Sequence, residues 1–238
     1  MDYFIKKLKL YNMKLIRAGF EILTPIDDKE ILKTIENVAR TCYKSEDKID
    51  DQSAEKMAKS LINRNHEAMI EFFDITVKFI CDRGVSHEIV RHRLASYAQE
   101  STRYCNYSKD KFNNQVTFII PPWITDVPDH KLNRIQLETD HNNLMISDTT
   151  YYWLSSLYTC EMYYNELILL GWQPQQARAV LPNSLKTEIN VKMNLREWRH
   201  FFRLRCAATA HPQMREIAVP LFEELKLKIP VLFDDITY

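Results

Sequence analysis

Three arginines, one histidine, two serines and two tyrosines fall within residues 91 to 104, RHRLASYAQESTRY, where Glu100 is the one acid. Guanidinium groups fork bidentately onto phosphate, and hydroxyls add further donors. A change from helix to polar loop after Ser96 would leave backbone N–H groups free for the same anion. A solvated basic helix end has the same composition, so both readings of the run stand at this point.

A second cluster lies further on. At 100° per residue Leu195, Trp198, Phe202 and Thr209 share one helix face, with Arg205 beside it, one turn beyond Phe201 and Phe202. An unpaired cation at the edge of a core stripe is costly, so Arg205 needs a partner, either a structural carboxylate or an anionic ligand. Arg196, His200 and Arg203 line the opposite face, where they can hold a phosphate or the edge of a planar ligand, or merely be solvated. Arg178, in QQARAVLP ahead of Pro182, reads as a surface ion pair or a site residue. His66 and Glu71, in NHEAMIEF, read as capping or packing groups or as part of a site.

Other chemistries lack their residues. His87 and His92 are five apart, off the i, i+4 spacing of a helical metal pair, so no metal site is expected. Neither GxSxG nor a cysteine–histidine pairing occurs. Three glycines, with no GxGxxG and no Walker motif, exclude a glycine-rich phosphate loop. Lys plus Arg equals Asp plus Glu at 32 each, which removes a global basic field for nucleic acid. No apolar run reaches membrane-spanning length. The N-terminal MDYFIKKLKLYNMKLI has no signal-peptide pattern. Five cysteines without CxxC spacing argue against a disulfide framework, so a cytoplasmic location is expected.

The elements that must position these groups read as follows. A strand runs over Leu15 to Leu23 and ends at Pro25. Asp27 or Asp28 caps a helix carrying Ile31, Ile35, Val38 and Ala39, and a second helix covers Ser53 to Asn63. Phe73, Ile75, Val77, Phe79 and Cys81 alternate as a half-buried strand that Gly84 ends. A helix from about Ser86 then carries RHR at its far end. Residues 110 to 130 are mostly loop, with Val116 to Ile120 extended. One long helical stretch covers Leu132 to Leu170, Gly171 stops it, and Pro174 opens another helix. Thr187, Ile189, Val191 and Met193 form a second strand, and Asn194 with Glu197 caps the last main helix. The expectation is one α+β domain over residues 1–238, with long helices packed on a small, largely antiparallel sheet.

RHR, seven residues and then Ser101 resembles the signature of the flavin-dependent thymidylate synthases. VARTCY (38–43), NHEAMIEF (65–72), SHEIVRHR (86–93), ARAVLP (177–182) and RLRCAATAHPQMREIA (203–218) resemble the same family in the same order. The resemblance implies a cytoplasmic homotetramer with FAD at subunit interfaces. NADPH would reduce FAD, and 5,10-methylenetetrahydrofolate would give its one-carbon unit to dUMP. The reduced flavin would complete the methyl group, with no enzyme nucleophile on the uracil. Arg91, His92 and Arg93 would contact FAD, Arg91 also reaching dUMP. Gln99, Glu100, Ser101, Thr102 and Arg103 would form the dUMP loop, with Gln99 also near the cofactor and Ser101 and Arg103 on the phosphate. Arg178 would reach dUMP from another subunit. Asn194, Arg196 and His200 would bind FAD, and His66 and Glu71 would lie near the flavin and the folate or nicotinamide. Arg205 would sit on the uracil and favour its N3-ionised form. Ala68 stands where the family usually has Ser or Thr near FAD, and Glu88 where many members have Gln near the substrate. A nucleotide- or RNA-binding module built on Arg91–Arg103, without catalysis, is the alternative.

Overall fold

The computed structural model of the chain describes residues 13–127, 131–132, 134–143 and 145–238. The basic stretch preceding Met13 lies outside them. The described chain mixes long helices with a small, largely antiparallel sheet, as expected.

The strand expected over Leu15 to Leu23 is two strands in two sheets. Strand β1 (Met13–Ile16) pairs in parallel with β5 (Thr117–Ile119) and antiparallel with β6 (Lys131–Leu132). Strands β2 (Gly19–Ile22), β3 (Asp74–Asp82), β7 (Lys186–Asn194) and β4 (Ala95–Gln99) form, in that order, a four-stranded sheet. The switch falls at Arg17, whose guanidinium donates to the carbonyls of Pro121 (3.2 Å) and Val127 (3.5 Å).

Helix α1 (Asp28–Tyr43) starts where Asp27 accepts from the backbone N–H groups of Lys29 and Glu30, which are otherwise orphaned in a first turn. Ile31, Ile35 and Ala39 are buried, and Val38 is half-buried. Helix α2 (Ser53–Asn63) and strand β3 fall where the sequence places them, with Ile75, Val77, Phe79 and Cys81 all buried.

The RHR segment does not. Helix α3 (Arg83–Ile89) begins directly on β3, with Asp82 accepting from Val85 N at 2.7 Å, and ends before Arg91. The Ile89 carbonyl, which a continuing helix would give to Arg93, accepts instead from His92 N (3.2 Å) and the Tyr97 hydroxyl (3.0 Å). Beyond it the chain forms strand β4 and not the expected polar loop.

The stretch Leu132 to Leu170 is likewise two helices, α4 (Arg134–Asn142) and α5 (Asp148–Leu169). Ser147 starts the second by accepting from Thr150 N, while its own N–H is held by Asp126 at 2.7 Å. Gly171 takes the positive φ of 96° that ends α5, and Pro174 opens the short α6 (Pro174–Ala177). Helix α7 (Leu195–Arg205) is not the last. It is followed by α8 (Pro212–Lys228), whose buried Met214, Ile217, Ala218, Leu221 and Leu225 recur at helical spacing, and by α9 (Pro230–Phe233).

The chain divides into two compact units. One comprises residues up to Ala18, Ile80–His87 and Gln99–Glu188, and its core sets Leu154, Leu157, Tyr158 and Tyr164 of α5 with Met13, Leu15, Val116 and Phe118. The other comprises Gly19–Phe79, Glu88–Ala98 and Ile189–Tyr238. Its core is aromatic: Phe79, Trp198, Phe201, Phe202, Phe222 and Phe233 contact one another in a chain of stacked, tilted and edge-on rings. Among the described residues no helix is long and apolar enough to cross a membrane.

Candidate functional site

In the second unit the site is built outward from the start of α7. Asn194 is its N-cap and accepts from Glu197 N at 2.8 Å, while Leu195 N donates to the Phe73 carbonyl at 3.0 Å. Trp198 then donates from its indole to the Ile75 carbonyl, fixing the rotation of the helix against β3. That rotation places Glu197 and Arg205 on His92. The imidazole Nδ1 lies 3.1 Å from Glu197 Oε1, and Nε2 lies 3.0 Å from Arg205 Nε.

A guanidinium can only donate, so Nε2 accepts and Nδ1 carries the proton toward Glu197. His92 is therefore a neutral imidazole. Burial pushes its pKa down, and the Arg205 cation adds to that against the pull of Glu197.

Of the two partners open to Arg205, a structural carboxylate or an anionic ligand, the described residues supply the carboxylate, Glu88. Nη1 donates to Glu88 Oε2 at 3.1 Å and Nη2 to the Glu88 carbonyl at 2.9 Å. Thr209, placed on the same face by spacing, lies beyond the helix end at Arg205 and is exposed.

The RHR run is split by this arrangement. His92 is buried, whereas Arg91 and Arg93 are exposed, and their side chains have no partner among the described residues. The ligand atoms of His92, Glu197 and His200 lie within 4.8 Å of one another. Both ring nitrogens of His92 are already engaged, and a metal on Nε2 would have to displace Arg205 and sit beside its charge. His92 and Glu197 are instead joined by a hydrogen bond, and His200 meets His92 edge-on, ring to ring.

The outer face of α7 is paired with the 3-10 turn Glu67–Phe72. Arg196 Nη1 donates to Glu71 Oε1 at 2.6 Å, and Arg203 reaches Asp235 at 3.2 Å. His66 precedes that turn without capping it, its Nδ1 3.4 Å from the Tyr43 hydroxyl. His66, Ala68 and Glu71 are all exposed, as is His200.

The first unit holds the other candidate residues. The Gln99 amide donates to Ser86 Oγ (2.9 Å) and Thr187 Oγ1 (3.1 Å). Ser101 closes a turn: its carbonyl accepts from Tyr104 N at 3.1 Å and its Oγ from Arg103 N at 3.3 Å. Buried Thr102 accepts from Arg178 Nη1 at 2.9 Å, so Arg178 is fastened to the loop of its own chain. The Arg103 guanidinium lies over the Tyr104 ring, 5.4 Å from its centroid, and is exposed.

A family profile described as thymidylate synthase complementing protein matches residues 26–231. The flavin-dependent thymidylate synthase of Corynebacterium aurimucosum is 32% identical over 204 residues, covering 84% of this chain and 78% of that protein. The chain belongs to the flavin-dependent thymidylate synthase family. The synthase of Pyrococcus furiosus is 33% identical, with 83% of this chain and 75% of that one covered. The solved structure of thymidylate synthase X from Helicobacter pylori with FAD and dUMP has a TM-score of 0.68 and covers 92% of this chain and 98% of its own. At 22% identity that likeness speaks to the fold.

Within this synthase, several residues of the two clusters escaped sequence reasoning. Arg199 is fully buried and donates to Glu67 Oε1 (3.0 Å), Asp235 Oδ2 (2.7 Å) and the Leu232 carbonyl. A signal existed: Arg199 occupies the i+4 position of the stripe from Leu195 to Phe202, where a charge must find partners. Glu197 was legible as a capping partner, but its grip on His92 joins residues 105 apart in sequence. Lys186 and Tyr107, which hold Glu100, had no motif at all.

Proposed function

We propose that this enzyme converts dUMP to dTMP, taking a one-carbon unit from 5,10-methylenetetrahydrofolate and reducing equivalents from NADPH through FAD. The observation that carries the reading is the split of residues 91–93. His92 is buried under Arg205, and Arg91 and Arg93 are left exposed with unpaired guanidiniums. Two exposed, unpaired forks suit the phosphates of a dinucleotide cofactor, and FAD when bound supplies the hydride that completes the methyl group.

Arg91, His92, Arg93, Asn194, Arg196 and His200 are the proposed FAD residues, with His66, Ala68 and Glu71 at its folate- or nicotinamide-facing side. Ala68 has no hydroxyl, so any contact it makes with the cofactor is through its backbone. Gln99 serves cofactor and substrate alike. Ser101 and Arg103 take the dUMP phosphate, with Glu100 and Thr102 shaping the turn. Arg178, tied to Thr102, travels with that loop, so both come from the same protomer of a homotetramer whose sites are shared between subunits. The two units act in this reading as one catalytic domain spanning residues 1–238, in the cytoplasm.

Arg205 is the proposed catalytic cation. It favours the N3-ionised uracil by fixed positive charge, with Glu88 as the carboxylate that the base must share it with. Four of the five cysteines are ill suited to attack the ring. Burial pushes the thiols of Cys81, Cys105, Cys160 and Cys206 upward, Cys206 to about 12, the reverse of nucleophile activation.

Purified protein should be yellow, its flavin bleached by NADPH and reoxidised on adding dUMP and methylenetetrahydrofolate with formation of dTMP. Colourless protein that FAD does not reconstitute would overturn the reading.

A further inference from the structure

Glu100, at the entrance to the Ser101–Arg103 turn, is held from three sides. Its backbone N–H donates to the Glu188 carbonyl at 2.8 Å. Its Oε1 accepts from the Tyr107 hydroxyl at 3.1 Å, and its Oε2 from Lys186 Nζ at 3.1 Å. Lys186 also donates to Glu188 Oε1 at 2.5 Å, so one ammonium bridges two carboxylates. The Lys186 and Glu100 side chains are only 18% and 13% exposed, which removes most of the solvent screening an open ion pair would have.

We propose that Lys186 is a positioning residue for substrate binding: through Glu100 it sets the turn that takes the dUMP phosphate and neutralises the carboxylate at its entrance. The proposal rests on residues 99–103 being the dUMP loop. Lys186 touches no residue of the turn itself among its hydrogen bonds and acts through Glu100.

Two consequences follow from the geometry. Mechanically, Glu100 is the residue before Ser101, so the bonds to its backbone N–H and to both carboxylate oxygens fix where the turn begins. Electrostatically, removing Lys186 takes away the cation beside the Glu100 carboxylate, one residue from the turn that takes an anionic ligand. Lys186 is well suited to stay charged: burial pulls its pKa down, but the bonds to Glu188 and Glu100 outweigh that and leave it raised. Tyr107 stays a donor, because burial and the neighbouring Glu100 charge both push its phenol upward.

The test measures kcat and KM for dUMP on the FAD-loaded enzyme carrying Lys186→Met, Lys186→Arg or Tyr107→Phe, with Ser101→Ala as reference. Lys186→Met should raise the dUMP KM by roughly tenfold or more, the scale of a charge-assisted hydrogen bond, with kcat and flavin content changed far less. Lys186→Arg, which keeps charge and donors, should recover most of that loss. Should Lys186→Met fold poorly, Tyr107→Phe removes a single hydroxyl and should raise the dUMP KM in the same direction. A wild-type KM in Lys186→Met or in Tyr107→Phe, beside a raised KM in Ser101→Ala, would overturn the positioning role and leave the loop assignment standing. A wild-type KM in Ser101→Ala as well would overturn both.

Discussion

Glu88 closes off Arg205 at two points: its carboxylate accepts from Nη1 at 3.1 Å and its backbone carbonyl from Nη2 at 2.9 Å. With His92 on Nε, all three guanidinium nitrogens are engaged. The cation is thus aimed by its surroundings before any ligand arrives, which is how preorganised electrostatic catalysis differs from a flexible surface arginine.

Arg205→Ala removes that aimed charge while leaving the exposed Arg91 and Arg93 untouched. Turnover should fall by about a hundredfold to a thousandfold, and flavin content should stay near wild type. Single-turnover flavin reoxidation with dUMP and methylenetetrahydrofolate reads this directly. Near-normal rates would remove Arg205 from the chemistry.

Glu88→Gln isolates the effect of the carboxylate. The amide oxygen can still accept from Nη1, but the negative charge beside the guanidinium is gone. Arg205 then acts on the uracil as a fuller cation, and ionisation at N3 becomes easier. The pH profile of kcat should move to lower pH by on the order of one unit. An unmoved profile would mean that Glu88 does not temper Arg205.

Arg199 tests the frame around the site. It is fully buried between Glu67 and Asp235, and removing it would leave those carboxylates to the half-exposed Arg203, at 3.5 and 3.2 Å. Arg199→Met should lower unfolding stability by about 3–5 kcal/mol in denaturant titration. Arg196→Ala, on an exposed pair with Glu71, should stay within about 1 kcal/mol. Asp235 adds a pH dependence. Burial raises its pKa, but the bond to Arg199 outweighs that and leaves it lowered. Its contribution is therefore present above the ordinary value of 3.8 and is lost as pH falls below it. Arg199→Met should weaken that acid sensitivity.

What the sequence revealed and what it hid divide along physical lines. Strands β3 and β7 were legible because their buried residues alternate, and α7 because Asn194 caps it ahead of an apolar stripe. The end of α3 was not legible. It depends on Tyr97 taking the Ile89 carbonyl, a bond across a turn that no periodicity records. The break between α4 and α5 depends on Asp126 reaching Ser147, 21 residues on. At the site, Arg205's need for an anionic partner, carboxylate or ligand, followed from helical spacing, but finding it in Glu88 required a contact across 117 residues. Lys186 and Tyr107 lie outside every motif because they support the loop and are not part of it.

Glu161 on α5 offers the sharpest pH test of the fold. It is fully buried; Oε1 accepts from Val116 N at 2.8 Å, and Oε2 has no hydrogen-bond partner among the described residues. The Asn165 side chain, one turn on, and Gln115 Oε1 also lack partners there. Burial pushes the Glu161 carboxyl up from 4.5 to about 7, against a small opposing pull from Val116 N–H. The folded state therefore holds a proton that the unfolded chain has already released, and stability falls as pH rises from 4.5 through about 7. Glu161→Gln keeps the acceptor for Val116 and cannot ionise. At pH 8 it should be more stable than wild type by on the order of 3 kcal/mol, and at pH 5 by much less. Denaturant midpoints of the two proteins at both pH values measure the difference. Parallel pH profiles would show that Glu161 ionises in the folded protein as easily as in the unfolded chain.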